Sequence, residues 1–154
     1  MKKSPFYAVM AVLALSPALF AKQVQAEDWA ISATGSCKTA LGTTIFAAGG
    51  IRASGGTAVV TCPLTKEVGT DTLNNVYARM RRNNAFGPDP FCNVSTISHY
   101  GSPSDISIGF AANTTNNQSI NIPLPDQYSI GYADVSCVLN AGDTLYGIRY
   151  RQAN

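Results

Sequence analysis

His99 is the only histidine of this chain, and Ser98, Ser104 and Asp105 stand near it in the sequence. A Ser-His-Asp triad requires three side chains that converge in space. Neighbouring residues on a strand point to opposite faces, so Ser98 and His99 would diverge. Because no G-x-S-x-G motif occurs in the chain either, the sequence predicts no catalytic residue.

The carboxylates of residues 27–154 are scattered, and most stand beside Gly, Pro, Asn, Ser or Thr. Aspartate in such a context commonly stabilises a turn through its own backbone. The acids show neither the pairing that a glycosidase needs nor the spacing of a calcium loop. The sequence therefore predicts no enzyme, no metal site and no cofactor. The alternative that stays open is a small secreted hydrolase, or an inhibitor of one, built from scattered Asp and Ser residues with His99.

Four arginines are the candidate ligand-binding residues. Arg79 and Arg81 would share one face of a strand, and Arg149 and Arg151 would share one face of another. If these two strands were neighbours, four guanidinium groups would line one outer surface and could bind a carboxylate or a sulfate group. The competing interpretation is a solvated strand face that protects a sheet edge from aggregation.

Exposed aromatic side chains could stack on sugar rings, and the candidates are Trp29, Tyr77, Tyr100 and Tyr128. The competing interpretation is that these residues fill the core and the strand faces, as β-propensity predicts. The sequence does not separate the two interpretations. The expected partner is therefore an extracellular or cell-envelope glycan or protein.

Residues 1–26 have the features of a cleaved signal peptide. A positive start, Met1-Lys2-Lys3, precedes an apolar run over 6–20 and small residues at 24–26. The apolar run is shorter than the roughly 20 residues that a membrane-spanning helix needs. We therefore expect cleavage before residue 27, no membrane span, and a mature domain of residues 27–154 that is secreted or periplasmic in a bacterium.

The charge of the chain argues against nucleic acid and anionic membranes as partners. The 154 residues include 11 Lys and Arg and 9 Asp and Glu, and three of the basic residues lie in the leader. Residues 27–154 therefore carry eight basic against nine acidic residues, a formal net charge of −1. A domain with this balance lacks a general electrostatic attraction to polyanions, so any anion site must be local.

Four cysteines follow the leader: Cys37, Cys62, Cys92 and Cys137. No pair has the C-x-x-C spacing of a redox motif, and a single histidine cannot complete a zinc site. In an oxidising compartment the expected state is two disulfides. Of the three pairings, 37–62 and 92–137 are favoured, because each would join two segments with strand patterns.

Most of residues 27–154 alternates with the period of a strand, and turn residues bound the segments. The expected strands are Trp29–Thr34, Thr43–Phe46, Thr57–Cys62, Phe91–Ser98, Asp105–Ala111, Ser119–Leu124, Tyr128–Leu139 and Leu145–Arg151. Residues 73–82 fit a helix as well as a strand, and their strand neighbours favour the strand. The pattern predicts a single antiparallel β-sandwich domain with two disulfides.

These observations predict a non-catalytic exported module with a binding or structural role. A third hypothesis is a filament subunit in which residues 27–35 leave their own domain and complete a neighbour's sheet. Cys37 opposes that hypothesis, because a disulfide there would tether the end of the segment. The ligand and the oligomeric state stay open.

Overall fold

A computed structural model describes residues 27–64, 72–98, 103–124 and 131–153. The leader predicted for residues 1–26 lies outside these ranges, as does His99. Within them the chain forms eleven strands and one short helix. In chain order these are β1 (Glu27–Ser32), α1 (Ala33–Ser36), β2 (Lys38–Leu41), β3 (Thr44–Ala47), β4 (Gly50–Ala53), β5 (Ala58–Leu64), β6 (Thr72–Arg81), β7 (Phe91–Ser98), β8 (Pro103–Phe110), β9 (Asn117–Ile122), β10 (Gly131–Leu139) and β11 (Thr144–Ala153).

The strands form two antiparallel sheets. Sheet A has the order β3-β4-β11-β6-β9, and β1 pairs with β11 beside β4. Sheet B has the order β2-β5-β10-β7-β8. The predicted fold class, an all-β antiparallel sandwich with two disulfides, is confirmed. None of the described helices is long and apolar enough to span a membrane.

Strand β6 shows why the alternation forms a sandwich core. Val76, Ala78 and Met80 are fully buried, whereas Tyr77 and Arg79 point away from the core. A helix would have put Tyr77 on the same side as Val76, so the helical alternative for residues 73–82 is wrong. Burial of apolar side chains from both sheets supplies most of the stability of such a fold.

Two disulfides join neighbouring strands of sheet B. Cys37, just before β2, is bonded to Cys62 on β5, and Cys92 on β7 is bonded to Cys137 on β10. This is the pairing that the strand positions favoured. The bonds close segments with sequence separations of 25 and 45 residues. On the chain-entropy model each contributes about 3–4 kcal/mol to stability.

The boundaries of the expected strands need several corrections. Strand β7 has the expected bounds, but β2 and β4 were missed, because each has four residues and no clear alternation. Pro63 does not end β5, which continues to Leu64. Since β2 pairs with β5 only as far as Thr61, Pro63 lies where that side of β5 has no pairing partner within the described residues. A proline without an N–H is tolerated at such a position.

Strand β1 belongs to its own domain. Its residues pair antiparallel with Gln152–Gly147 of β11, and Ala33 of the following helix is fully buried. The filament hypothesis required residues 27–35 to leave this position. The segment instead packs on its own core, so the displaced strand that the filament hypothesis required is not observed.

Candidate functional site

The four candidate arginines lie on two neighbouring strands. Arg79 and Arg81 belong to β6, Arg149 and Arg151 belong to β11, and all four are exposed. The condition for a shared surface, direct pairing of the two strands, is met. The outer face of sheet A therefore carries all four guanidinium groups.

An open groove of about 670 Å³ runs over this face. Three of the four arginines line it, and Arg81 does not. The lining residues come from β6, β9 and β11: Asn75, Tyr77, Arg79, Asn117, Gln118, Ser119, Arg149, Tyr150 and Arg151. Side chains of three adjacent strands thus form one surface, which we call the arginine groove.

The register of the ladder sets the arrangement inside the arginine groove. Arg149 lies directly opposite Tyr77, Arg151 lies opposite Asn75, and Arg79 lies opposite Gly147. A glycine opposite Arg79 leaves that position without a facing side chain. Cross-strand neighbours on one face have Cβ atoms about 5 Å apart, so Tyr77 and Arg149 stand side by side.

Two irregularities of the β11–β6 ladder lie at the two ends of the segment that bears the groove. One falls between Leu145 and Gly147, and the other between Arg151 and Gln152. Between them the alternation of β11 is regular, with Ile148 and Tyr150 in the core. β-Bulges increase the twist of a strand and redirect its side chains. At the first irregularity the extra residue, Tyr146, lies on β11, so that Leu145 and Ile148 are both buried. At the second the extra residue, Asn74, lies on β6.

Gln118 forms part of the groove wall, but its amide group is committed to its own loop. Its Oε1 accepts a hydrogen bond from the Ala112 N–H at 2.6 Å, and its Nε2 donates to the carbonyl oxygens of Ala112 and Thr114 at 3.2 and 3.3 Å. The side chain therefore holds the loop that leads into β9. Asn117 and Ser119, its neighbours on β9, remain the polar side chains of this wall.

Arg82 anchors a second polar network, which the sequence analysis missed. Its side chain is only 1% exposed and pairs with Asp89 at 2.9 Å. It also donates to the carbonyl oxygens of Gly87, Pro88 and Ala112 and to Asn113 Oδ1. The sequence did contain an indication that Arg82 is buried, because the alternation that buries Met80 puts position 82 on the same inward side.

The lining of the arginine groove is rich in positive charge. Its nine described residues include three arginines and no carboxylate. Among the residues that the structure describes, Arg79 and Arg81 take part in no ion pair or hydrogen bond. In the β1–β11 register, Asp28 is the residue opposite Arg151. Guanidinium groups in a partly enclosed surface attract anions more strongly than isolated surface charges do.

The described acids with clear roles lie elsewhere. The Asp143 carboxylate is buried and accepts hydrogen bonds from the backbone N–H groups of Asn83 and Asn140. Asp134 lies on β10 of sheet B, and desolvation by burial raises its pKa above the usual aspartate range. Within the described ranges, no cluster of three or more His, Cys, Asp or Glu residues could hold a metal ion.

The four aromatic candidates have different outcomes. Tyr77 lines the arginine groove, and Trp29 lies in β1 opposite Tyr150. Tyr100 and Tyr128 lie outside the described residues, as does His99. Of the two candidates that the structure describes, Tyr77 is the one that lines the groove with the candidate arginines.

Comparison with protein-family models and with curated proteins gave no match. The chain is similar to a solved family 6 carbohydrate-binding module studied for its binding subsites, at 17% identity and a TM-score of 0.46, covering 78% of this chain and 90% of that one. It is also similar to the C-terminal family 6 module of LamC, a marine laminarinase from Zobellia galactanivorans. That pair has 14% identity and a TM-score of 0.43, with coverage of 80% and 98%.

A third similar structure is that of the infectious bursal disease virus Gt strain, at 11% identity and a TM-score of 0.47, covering 93% of this chain and 36% of the viral chain. With identities of 11–17% and TM-scores of 0.43–0.47, these similarities transfer neither a ligand nor a site to this chain.

Proposed function

We propose that this protein is an exported, non-catalytic binding module and that the arginine groove is its ligand site, for a ligand bearing carboxylate, sulfate or similar anionic groups. One observation carries the proposal: Arg79, Arg149 and Arg151, from two paired strands, line one groove together, and the other described residues that line it are uncharged. Arginine suits this role because its planar donors match the oxygens of such anions in pairs.

The composition of the groove supports binding rather than catalysis. The described residues that line it include no histidine, cysteine, aspartate or glutamate. These are the side chains that most often act as general acids, general bases or nucleophiles. The arginines and amides that are present can hold a ligand in place.

The exported location rests on the sequence and on the disulfides. A leader with a basic start, an apolar run and small residues before position 27 directs a chain to the secretory pathway. Two disulfides fit an oxidising compartment. Sequencing the N-terminus of the mature protein tests this part, and a start at Glu27 is the expected result.

Binding to dextran sulfate, polygalacturonate, polyglutamate and polyphosphate tests the ligand site, with uncharged dextran as the reference. We expect at least one polyanion to bind, and the affinity to fall as salt is added. Arg79→Ala and Arg149→Ala should each weaken that binding about tenfold, since a hydrogen bond to a charged group contributes about 1.5–3 kcal/mol.

Lys38→Ala is the matched control, because it removes one positive charge from an exposed residue of β2 in the other sheet. It should leave the affinity within about twofold, as expected of an isolated surface charge. Equal losses for Lys38→Ala and Arg79→Ala would mean that only net charge matters. The groove would then not be the site.

A further inference from the structure

Tyr77 occupies the middle of the arginine groove. It lies opposite Arg149 on β11 and opposite Asn121 on β9. On its own strand, Asn75 and Arg79 are the nearest residues that face the same way, about 7 Å away along β6. An aromatic ring is thus surrounded by cationic and amide groups. Such a ring supplies a flat apolar surface, which an inorganic anion does not need and a sugar ring can use.

The neutral polar groups of the groove both donate and accept hydrogen bonds. Asn75 and Asn117 each carry an amide N–H₂ and a carbonyl oxygen, and Ser119 carries a hydroxyl group. Sulfate and fully ionised polyphosphate carry only hydrogen-bond acceptors, so they cannot donate a hydrogen bond to the amide and hydroxyl oxygens of these side chains. Sugar hydroxyl groups donate and accept, and they match the whole set.

The dimensions of the groove exceed those of a single anion. Asn75 and Arg79 lie about 13 Å apart along β6. The lining also crosses three adjacent strands, β11, β6 and β9, which adds about 10 Å in the other direction. A volume of about 670 Å³ lies within the range of sites for ligands of many atoms. The ligand is therefore extended, with more than one anionic group.

From these observations we infer that the ligand of the arginine groove is an acidic polysaccharide. A sugar ring packs on Tyr77, the carboxylate or sulfate groups of the chain pair with Arg79, Arg149 and Arg151, and its hydroxyl groups bond to Asn75, Asn117 and Ser119. This inference rests on the proposed function, because it names the ligand class of the same site.

The experiment compares polyanions that do and do not contain sugar rings, using the oxidised protein and calorimetric titration. Polygalacturonate supplies carboxylates on sugar rings, and dextran sulfate supplies sulfates. Polyglutamate and polyphosphate supply anionic groups without rings. We expect at least one of the two acidic polysaccharides to bind at least tenfold more tightly than polyglutamate and polyphosphate. The stronger of the two identifies the anionic group.

Two variants of Tyr77 isolate the contribution of its ring. Tyr77→Thr keeps a residue that favours strands and should weaken polysaccharide binding at least tenfold, with less than a twofold effect on polyphosphate. Tyr77→Phe keeps the ring and should stay within about threefold of the unmodified protein for the polysaccharide. Because Tyr77 faces outward, both variants should fold, and unchanged melting temperatures confirm this.

The outcomes separate the inference from the proposal beneath it. Equal affinity for all four polyanions, with no effect of Tyr77→Thr, overturns the acidic polysaccharide but leaves an anion site in the groove. Tighter binding of single-stranded DNA than of either polysaccharide also overturns it, since aromatic and basic side chains together suit that ligand too. Failure of every polyanion to bind the unmodified protein refutes the proposed function itself.

Discussion

Arg82 and Gln118 both donate a hydrogen bond to the carbonyl oxygen of Ala112, at 3.1 and 3.2 Å. Arg82 approaches from the buried end of the sandwich, whereas Gln118 belongs to the wall of the arginine groove. One loop is therefore held from both sides. The core network around Arg82 positions the entry to β9 and, through it, the polar wall of the candidate site.

Removing the Arg82 side chain should destabilise the protein strongly. Arg82→Ala leaves a cavity and strips hydrogen bonds from three backbone carbonyl groups. We expect the free energy of unfolding to fall by about 3 kcal/mol. Asp89→Asn is the control, because it keeps a side-chain carbonyl oxygen that can accept from Arg82 and removes only the charge of a side chain that is 58% exposed, so its loss should be smaller than that of Arg82→Ala. Urea unfolding measures both, and equal losses would contradict this account of the network.

Gly147 should not tolerate a side chain. A Cβ atom there would lie 2.4 Å from the carbonyl oxygen of Ile31 on β1, so Gly147→Ala forces β1 away from β11. Overpacking of this kind costs about 1–3 kcal/mol. Gly56→Ala has open space around the new atom and should change stability by less than about 1 kcal/mol. Thermal unfolding of the two variants compares them, and an intact melting temperature for Gly147→Ala would show that β1 can move freely.

Two isoleucines on neighbouring edge strands should respond differently to the same substitution. Ile120 on β9 is 3% exposed, whereas Ile108 on β8 is 45% exposed. Ile120→Ala should cost about 2–4 kcal/mol through lost burial and a cavity. Ile108→Ala should cost less than about 1 kcal/mol. Denaturant titrations measure the difference, and a large loss for Ile108→Ala would mean that its side chain is covered in solution.

The partly buried carboxyl group of Asp134 should make the stability of the protein fall as pH rises. Desolvation raises its pKa above the ordinary aspartate value of 3.8, so the folded protein binds the proton more tightly than the unfolded chain does. The contribution of this group to stability is therefore most favourable below pH 3.8 and falls as pH rises through the folded pKa. Asp134→Asn should raise the melting temperature at pH 7 and change it little at pH 3. A lower melting temperature at pH 7 would contradict the assigned cause.

Reduction of the disulfides should lower the melting temperature sharply. Loss of a native disulfide from a small exported domain costs about 2–5 kcal/mol. The paired variant Cys92→Ala with Cys137→Ala isolates one bond, and the Cys37→Ala with Cys62→Ala pair isolates the other. Calorimetry with and without reductant measures the effect. An unchanged melting temperature under strong reductant would refute a stabilising role for both bonds.

Much of the fold followed from local patterns. Alternation over Phe91–Ser98 predicted β7 to the residue, and the even number of widely spaced cysteines predicted two disulfides. Short strands were missed, because four residues such as Lys38–Leu41 carry too little periodicity. Arg82 was missed as well, since charged residues are seldom fully buried and its partners come from two separate loops, five positions away at Gly87 and 31 positions away at Asn113.

The sequence by itself determined that Arg149 and Arg151 share one face of a strand, and that Arg79 and Arg81 do so if residues 73–82 form a strand, because a strand has a fixed period of two. It thereby predicted two pairs of arginines, each on one strand face. Only the tertiary structure decided that β6 pairs with β11, that Tyr77 lies opposite Arg149, and that Arg81 lies outside the groove. The reason is physical: side-chain period is a local property of the backbone, whereas strand order and register depend on the packing of the whole core.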